Sequence, residues 1–316
     1  MSLRISTAPH MHNPLTTQRL MQYVFIALLP TAVWGIYAFG FSAALVLAVS
    51  VASAVAAEVL WQWIAHQPVR VNDFSAIVTG LILGLNLPST APWWMAMAGS
   101  AFAIIIVKQL FGGLGDNFLN PALAARAVLL ASWPVHMAAS AYVAPTFFEA
   151  GVDAVSAATP LSSPGSYTLL QRFLGQIPGT IGEVSKAAIL IGFLFLLVTG
   201  TISWRIPVVM VGSVYVFTLL IVGGGFESAL IATLSGGVLF GAVFMATDYV
   251  TSPIRPVAQI IYAVLIGLII VLIRQFGNYP EGVTYGILLM NIFTPLIDRF
   301  LPQKIYGYQK KEAKKA

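Results

Sequence analysis

Residues 41–63 read FSAALVLAVSVASAVAAEVLWQW, and this stretch decides the fold class. As a helix rising 1.5 Å per residue it reaches roughly 35 Å. That is enough to cross about 30 Å of hydrocarbon. Trp61 and Trp63 close it with the amphipathic rings that settle at a membrane interface, and Arg70 follows outside the lipid. Just before it, joined at Gly40, Leu20–Phe39 forms a second stretch of the same kind.

The composition agrees. Of 316 residues, 58% are hydrophobic and 9% are charged, against about 25% charged in a soluble domain. The mean hydropathy is +0.87. The chain is therefore read as an integral membrane protein. It has no cysteine, which excludes disulfides and any iron–sulfur cluster held by this chain's own thiolates. The net charge of +5 gathers at the ends and in short loops, as in Lys310-Lys311-Glu312-Ala313-Lys314-Lys315. Such a tail is a topology signal or a lipid contact, and nucleic acid is set aside. Residues 1–19 are polar and lack a cleavable signal pattern. His10 and His12, two apart in that terminus, do not make a metal site.

Further along, Phe74–Leu87 is apolar but reaches only about 21 Å as a helix, and it carries Gly80, Gly84, Asn86 and Pro88. It is expected to be a broken or re-entrant helix buried in protein. Trp93–Phe111 spans again. Gly112-Gly113-Leu114-Gly115 is read as a turn, because no strand precedes it to make a nucleotide loop. Asn117–Trp133 supplies a fifth span carrying Asn120-Pro121 and Arg126. An arginine at that depth must face protein, water or an anion.

The second half repeats this inventory. Ala187–Ile202 and Val208–Val222 span. Ser228–Thr247 carries Gly237 and Gly241 at the spacing of Gly80 and Gly84, and ends in Thr247-Asp248-Tyr249-Val250-Thr251-Ser252-Pro253. Val257–Ile273 ends in Arg274-Gln275-Phe276-Gly277, parallel to Lys108-Gln109-Leu110-Phe111-Gly112. Gly282–Ile297 holds Asn291 and Pro295, echoing Asn120 and Pro121. The expected fold is an all-α polytopic membrane protein with about ten transmembrane helices. Five and five make an inverted repeat, since an odd number per half reverses the second, and each half carries a broken helix. The paired glycines are read first as close helix packing. Residues 1–133 form the first repeat, 134–186 a loop and 187–316 the second repeat with its basic tail.

With the N-terminus inside, Arg172, Lys186 and Arg274 fall outside and Arg126 within the membrane. The remaining twelve of the 16 Lys and Arg then lie inside. The positive-inside rule fixes that orientation, with both termini cytoplasmic and the long loop extracytoplasmic. In that loop stands Asp153-Ala154-Val155-Ser156-Ala157-Ala158-Thr159-Pro160-Leu161. Small side chains and the step into Pro160 favour an extended backbone, so another enzyme could reach the Thr159 hydroxyl.

This segment resembles the acceptor motif for covalent flavin attachment, D-[GA]-x-[ST]-G-A-[ST], whose last hydroxyl receives FMN through a phosphodiester. Asp153, Ala154, Ser156, Ala158 and Thr159 match, and Ala157 stands where glycine is usual. Over nearly the whole chain the sequence resembles the RnfD/NqrB family, and within it RnfD. The resemblance rests on Ala8-Pro9-His10, Met21, Val24, Ala27, Leu28 and Pro30, on Asn117–Ala122, on the acceptor motif and on the 247–253 turn. NqrB's longer N-terminal extension is lacking. The resemblance implies a subunit of the ion-translocating Rnf complex in the cell (inner) membrane, working between reduced ferredoxin and NAD and not catalytically complete alone. It implies FMN on Thr159 placed by a flavin transferase, a flavoprotein partner among the other subunits, and a second, non-covalent flavin such as riboflavin. Na+ or H+ would be the coupled ion, with Asn120, Arg126 and Asp248 as the flavin or ion path. An NqrB-like subunit of a Na+-translocating NADH:quinone oxidoreductase, a non-redox channel or transporter, and an inert anchor are the alternatives.

Overall fold

A computed structural model describes residues 16–137, 141–147, 167–277 and 281–301. Among them there is no strand. In chain order the helices are α1 (Thr17–Phe39), α2 (Phe41–Ile64), α3 (Ser75–Leu85), α4 (Trp93–Phe111), α5 (Pro121–Ser132), α6 (Pro134–Met137) and α7 (Leu169–Leu174). There follow α8 (Lys186–Val198), α9 (Arg205–Val222), α10 (Gly225–Leu234), α11 (Val238–Met245), α12 (Pro256–Phe276) and α13 (Val283–Phe300). Five of these, α1, α2, α4, α9 and α12, are long and apolar enough to cross a membrane. Counted as one span, α10 and α11 make a sixth, bent by 63° at its break. The chain is thus a multi-pass membrane protein. The broken helix expected over Ser228–Thr247 is present as α10–α11, and the short stretch before Pro88 is α3, with 11 residues.

Small residues set the contacts, as expected of helices that pack in lipid without a hydrophobic drive between them. On α3, a Cβ on Gly80 would lie 2.8 Å from the Ser50 carbonyl and from Ala54 Cβ of α2. Ser50 then donates to the Gly80 carbonyl at 2.7 Å and lies 2.9 Å from Ser100 Oγ, tying α2, α3 and α4 together. On α12, Gly267 admits Ser213 of α9. Gly192 of α8 lies against the Ala27 carbonyl of α1, beside the edge-to-face pair Tyr23–Phe195.

Not all of the long loop stands clear of the bundle. Residues 177–186 are mostly buried. Their irregular backbone is satisfied by α3 and the turn after it, because Ile181 N and Gly182 N donate to the Leu87 and Leu85 carbonyls at 3.1 and 2.8 Å. Buried irregular backbone needs partners of this kind for its polar groups. On the other flank, Thr146 N and Phe147 N donate to the Ala38 carbonyl at the end of α1. Both flanks therefore belong to one body with the helices. Within α4, residues 103–108 form a π-helical turn, followed by a tightened turn over 109–111.

Candidate functional site

Three buried polar clusters lie inside this frame. The first is the central seam. Asn120 caps α5, accepting from Ala122 N and Leu123 N at 3.1 and 3.3 Å, with Pro121 in the first turn, where its missing N–H costs nothing. Its amide also donates to the Met245 carbonyl at the end of α11, at 3.3 Å. Asn291 of α13 lies 2.7 Å from Tyr262 Oη, and its amide is 3.2 Å from Asn120 N. The two asparagines that echo each other in sequence therefore meet in space. Asn120 and Asp248 line a shared cavity of about 90 Å³, together with Ser75, Lys108, Asn117 and Thr247. That is narrower than the roughly 300–1,000 Å³ of typical small-molecule sites. Asp248 accepts from Thr251 Oγ1 at 3.1 Å. Burial raises its carboxyl above the usual range, opposed by hydrogen bonds from Thr251, Val250 N–H and Asn117.

The second cluster is an ion pair that sequence alone does not single out. Lys108 Nζ donates to Glu58 Oε1 at 2.7 Å and to Ser75 Oγ at 2.6 Å, with both charged side chains almost fully buried. Gln109 Nε2 also reaches Glu58 Oε1, at 2.6 Å. Glu58 Oε2 is buried with no partner among the described residues. Glu58 lines a polar vestibule of about 540 Å³ with Gln62, Arg70, Asp73 and Gln109, whereas Lys108 lines the central cavity. The pair stands between them, together with Leu114, which lines both. Its sequence signal is a glutamate inside the Phe41–Trp63 span together with Lys108 near the end of another, both overshadowed by the apolar count.

The third cluster surrounds the break between α10 and α11, and Arg126 belongs here. It is 3% exposed. It donates to Asn86 Oδ1 at 2.7 Å and pairs with Glu281 Oε2. Arg126 therefore faces a carboxylate of the chain itself and does not line the central cavity. The three cations assigned to the outside are not loop charges. Arg172 and Lys186 are fully buried. Arg172 Nη1 donates to Ser235 Oγ at 2.6 Å. Arg274 donates to the Ala232 and Ser235 carbonyls at 2.7 and 3.1 Å. Lys186 Nζ donates to the Glu183 carbonyl and, at 3.3 Å, to the Gly236 carbonyl. Cations thus sit at the carbonyl end of α10, where the helix dipole favours them. Glu183 Oε2 and Glu281 Oε1 each lie 3.0 Å from where a Cβ on Gly237 would stand, at the opposite, N-terminal end of α11. Packing explains Gly80, Gly84 and Gly241, whose neighbours are side chains and backbone of adjacent helices. At Gly237 the neighbours are carboxylates. Among the described residues there is no group of three or more His, Cys, Asp or Glu that could hold a metal. Asp153, Ser156, Ala158 and Thr159 lie outside the described residues, as do His10 and His12.

Comparison with known proteins settles kinship. The model of the NQR2, RnfD, RnfE family matches residues 4–307. The chain belongs to this family. It is 49% identical over 325 residues to the D subunit of the Na(+)-translocating ferredoxin:NAD(+) oxidoreductase complex of Acetobacterium woodii, covering 99% of each chain. It is 40% identical to the D subunit of the proton-translocating ferredoxin:NAD(+) oxidoreductase complex of Clostridium ljungdahlii, covering 96% of each. It is 39% identical to the D subunit of the ion-translocating oxidoreductase complex of Stutzerimonas stutzeri, covering 92% of each. Among family members this similar, one is named for sodium and another for protons, so likeness alone does not choose the ion.

Proposed function

We propose that the chain is the RnfD-type membrane subunit of an ion-translocating ferredoxin:NAD oxidoreductase in the cell membrane, working with the other subunits and carrying FMN esterified to Thr159. The observation that carries the proposal is similarity over nearly the full length to three D subunits, at 39–49% identity, joined to a match of the acceptor motif at 153–159. The described flanks suit that role. Residues 146–147 bond to the end of α1. On the other side, Arg172 Nε donates to the Tyr167 carbonyl, and Thr168 caps α7 in a capping box. Bound flavin passes one or two electrons, and the protein's part is to position it.

An inverted repeat of five and five helices fits the packing. Helix α2 packs against α3 and α4 as α9 packs against α10 and α12, while α1 meets α8 and α5 meets α13 across the seam. On this reading Na+ or H+ passes the seam at Asn120 and Asp248. Arg126 holds the break between α10 and α11 in place.

The flavin assignment is tested on a denaturing gel. The chain expressed with its transferase should give a flavin-fluorescent band near 33.8 kDa. A threonine hydroxyl is a weak nucleophile and needs enzymatic activation, so chain expressed without the transferase should be dark. Thr159→Ala should abolish the band, whereas Thr146→Ala and Thr168→Ala should keep it. A band that survives Thr159→Ala ends the assignment, and a dark wild-type band returns the chain to the non-redox transporters.

A further inference from the structure

Glycine weakens the interior of a helix and is kept where something must come close. On α9 the contact with α12 is made by Ser213, which Gly267 admits. Gly212 turns away from that contact, and no atom of the described residues stands within 4 Å of where its Cβ would be. It lines a groove of about 490 Å³ with Val208, Val211 and Tyr215 of the same helix, walled by α8, α10 and α11. The lining is almost wholly apolar, and the Thr233 hydroxyl within it donates to the Ala229 carbonyl of its own helix at 2.8 Å. Val208 is 49% exposed on a helix long and apolar enough to span, so the groove opens toward hydrocarbon. Arg205, Val208, Gly212 and Tyr215 recur at intervals of three and four and share one face of α9. Arg205 stands in the first turn, next to the exposed Trp204. Long side chains on a helix point back toward its N-terminus, which carries this guanidinium past the end of the groove, to the level where tryptophan marks a membrane interface. Among the described residues Arg205 has no hydrogen-bond or ion-pair partner. An apolar groove ending at an unpaired cation is complementary to a molecule with hydrocarbon at one end and negative charge at the other.

We propose that this face of α9 is a site for an anionic phospholipid, with an acyl chain in the groove over Gly212 and the phosphate on Arg205. The positive-inside rule puts Arg205 at the cytoplasmic leaflet, where basic positions between spans recruit anionic headgroups. The site uses none of the three buried polar clusters and does not depend on the flavin.

The test is photo-capture in the assembled complex in detergent, with benzoylphenylalanine in place of Tyr215. The complex is supplied with dioleoylphosphatidylglycerol, or with dioleoylphosphatidylcholine, which has the same chains and no net charge. Irradiation should join phosphatidylglycerol to the chain, read as a mass increase under denaturing conditions. Half-capture should need about fivefold less of it than of phosphatidylcholine, the effect of one basic side chain at an anionic surface. Arg205→Gln should bring the two lipids to the same half-capture concentration without lowering the plateau. Gly212→Leu fills the groove and should abolish capture of both. Equal half-capture of the two lipids with Arg205 present, or capture indifferent to Arg205→Gln or to Gly212→Leu, overturns the proposal. A cross-link from position 215 to another subunit in place of lipid overturns it as well and gives the groove to protein. If the Gly212→Leu complex does not assemble, the Arg205→Gln contrast decides alone.

Discussion

The ion pair between the two cavities makes the most quantitative demand. Lys108 and Glu58 are 2.7 Å apart with side-chain exposures of 3% and 1%. Removing one partner leaves a charge buried without its counter-ion, at a cost of about 3–5 kcal/mol. Lys108→Met strands the Glu58 carboxylate with only Gln109 as a donor. Glu58→Gln strands the ammonium with Ser75. Removing both charges together withdraws the desolvation cost along with the attraction, so Glu58→Gln/Lys108→Met should lose less than either single change. The assay is the fraction of complex that stays monodisperse after heating, read by size exclusion across a temperature series for wild type, both singles and the double. The expected order is wild type and double above both singles. A double variant lowered by the sum of the single losses would mean that the two residues act independently and form no ion pair in the protein.

Packing predicts a contrast between glycines: Gly80→Ala should cost about 1–3 kcal/mol by overpacking against α2, while Gly212→Ala, with nothing within 4 Å of its Cβ, should stay within about 0.5 kcal/mol, both read as thermal midpoints. Arg126→Ala leaves the Glu281 carboxylate unpaired inside the bundle, so the yield of assembled complex on size exclusion should fall before transport does. Asp248→Asn should leave assembly intact and lower ion uptake per electron transferred in proteoliposomes, and unchanged coupling there would remove Asp248 from the path. Because the chain has no cysteine, orientation can be read from single introduced thiols. Ser163→Cys should react with an impermeant reagent outside intact cells and Gln309→Cys should not, the reverse pattern inverting the topology.

The spans are legible because lipid demands long apolar runs, and that demand survives in single residues. The run Phe41–Trp63 ends within one residue of α2, Phe41–Ile64. The break within Ser228–Thr247 is legible only through the parallel between the two halves, because glycines alone do not mark it: Gly80 and Gly84 lie inside the unbroken α3 and Gly241 inside α11. What sequence conceals is partners. Arg126 is visible as an intramembrane charge, but Glu281 stands 155 positions away, in what reads as a short loop. Lys186 and Arg274 look like outside charges because each lies at the edge of an apolar run, and Arg172 because it stands in the long loop. Only the fold shows that all three converge on the broken helix. The Glu58–Lys108 pair is hidden by averaging, for one acid among more than twenty mostly apolar residues barely moves a hydropathy window.

The π-helical turn at 103–108 carries a consequence of its own. Lys108 and Gln109 are neighbours in sequence, and neighbours on a regular α-helix project about 100° apart. Both nonetheless reach the same oxygen of Glu58, at the point where the widened turn gives way to the tightened one. A π turn accommodates an additional residue in a helix that otherwise keeps its course. The aim of this pair is therefore set by how many residues stand upstream as much as by which ones. Deleting a single isoleucine from 104–106 would swing Lys108 off its target while leaving every side chain around the pair chemically intact. For this helix, length is the vernier and composition only the scale.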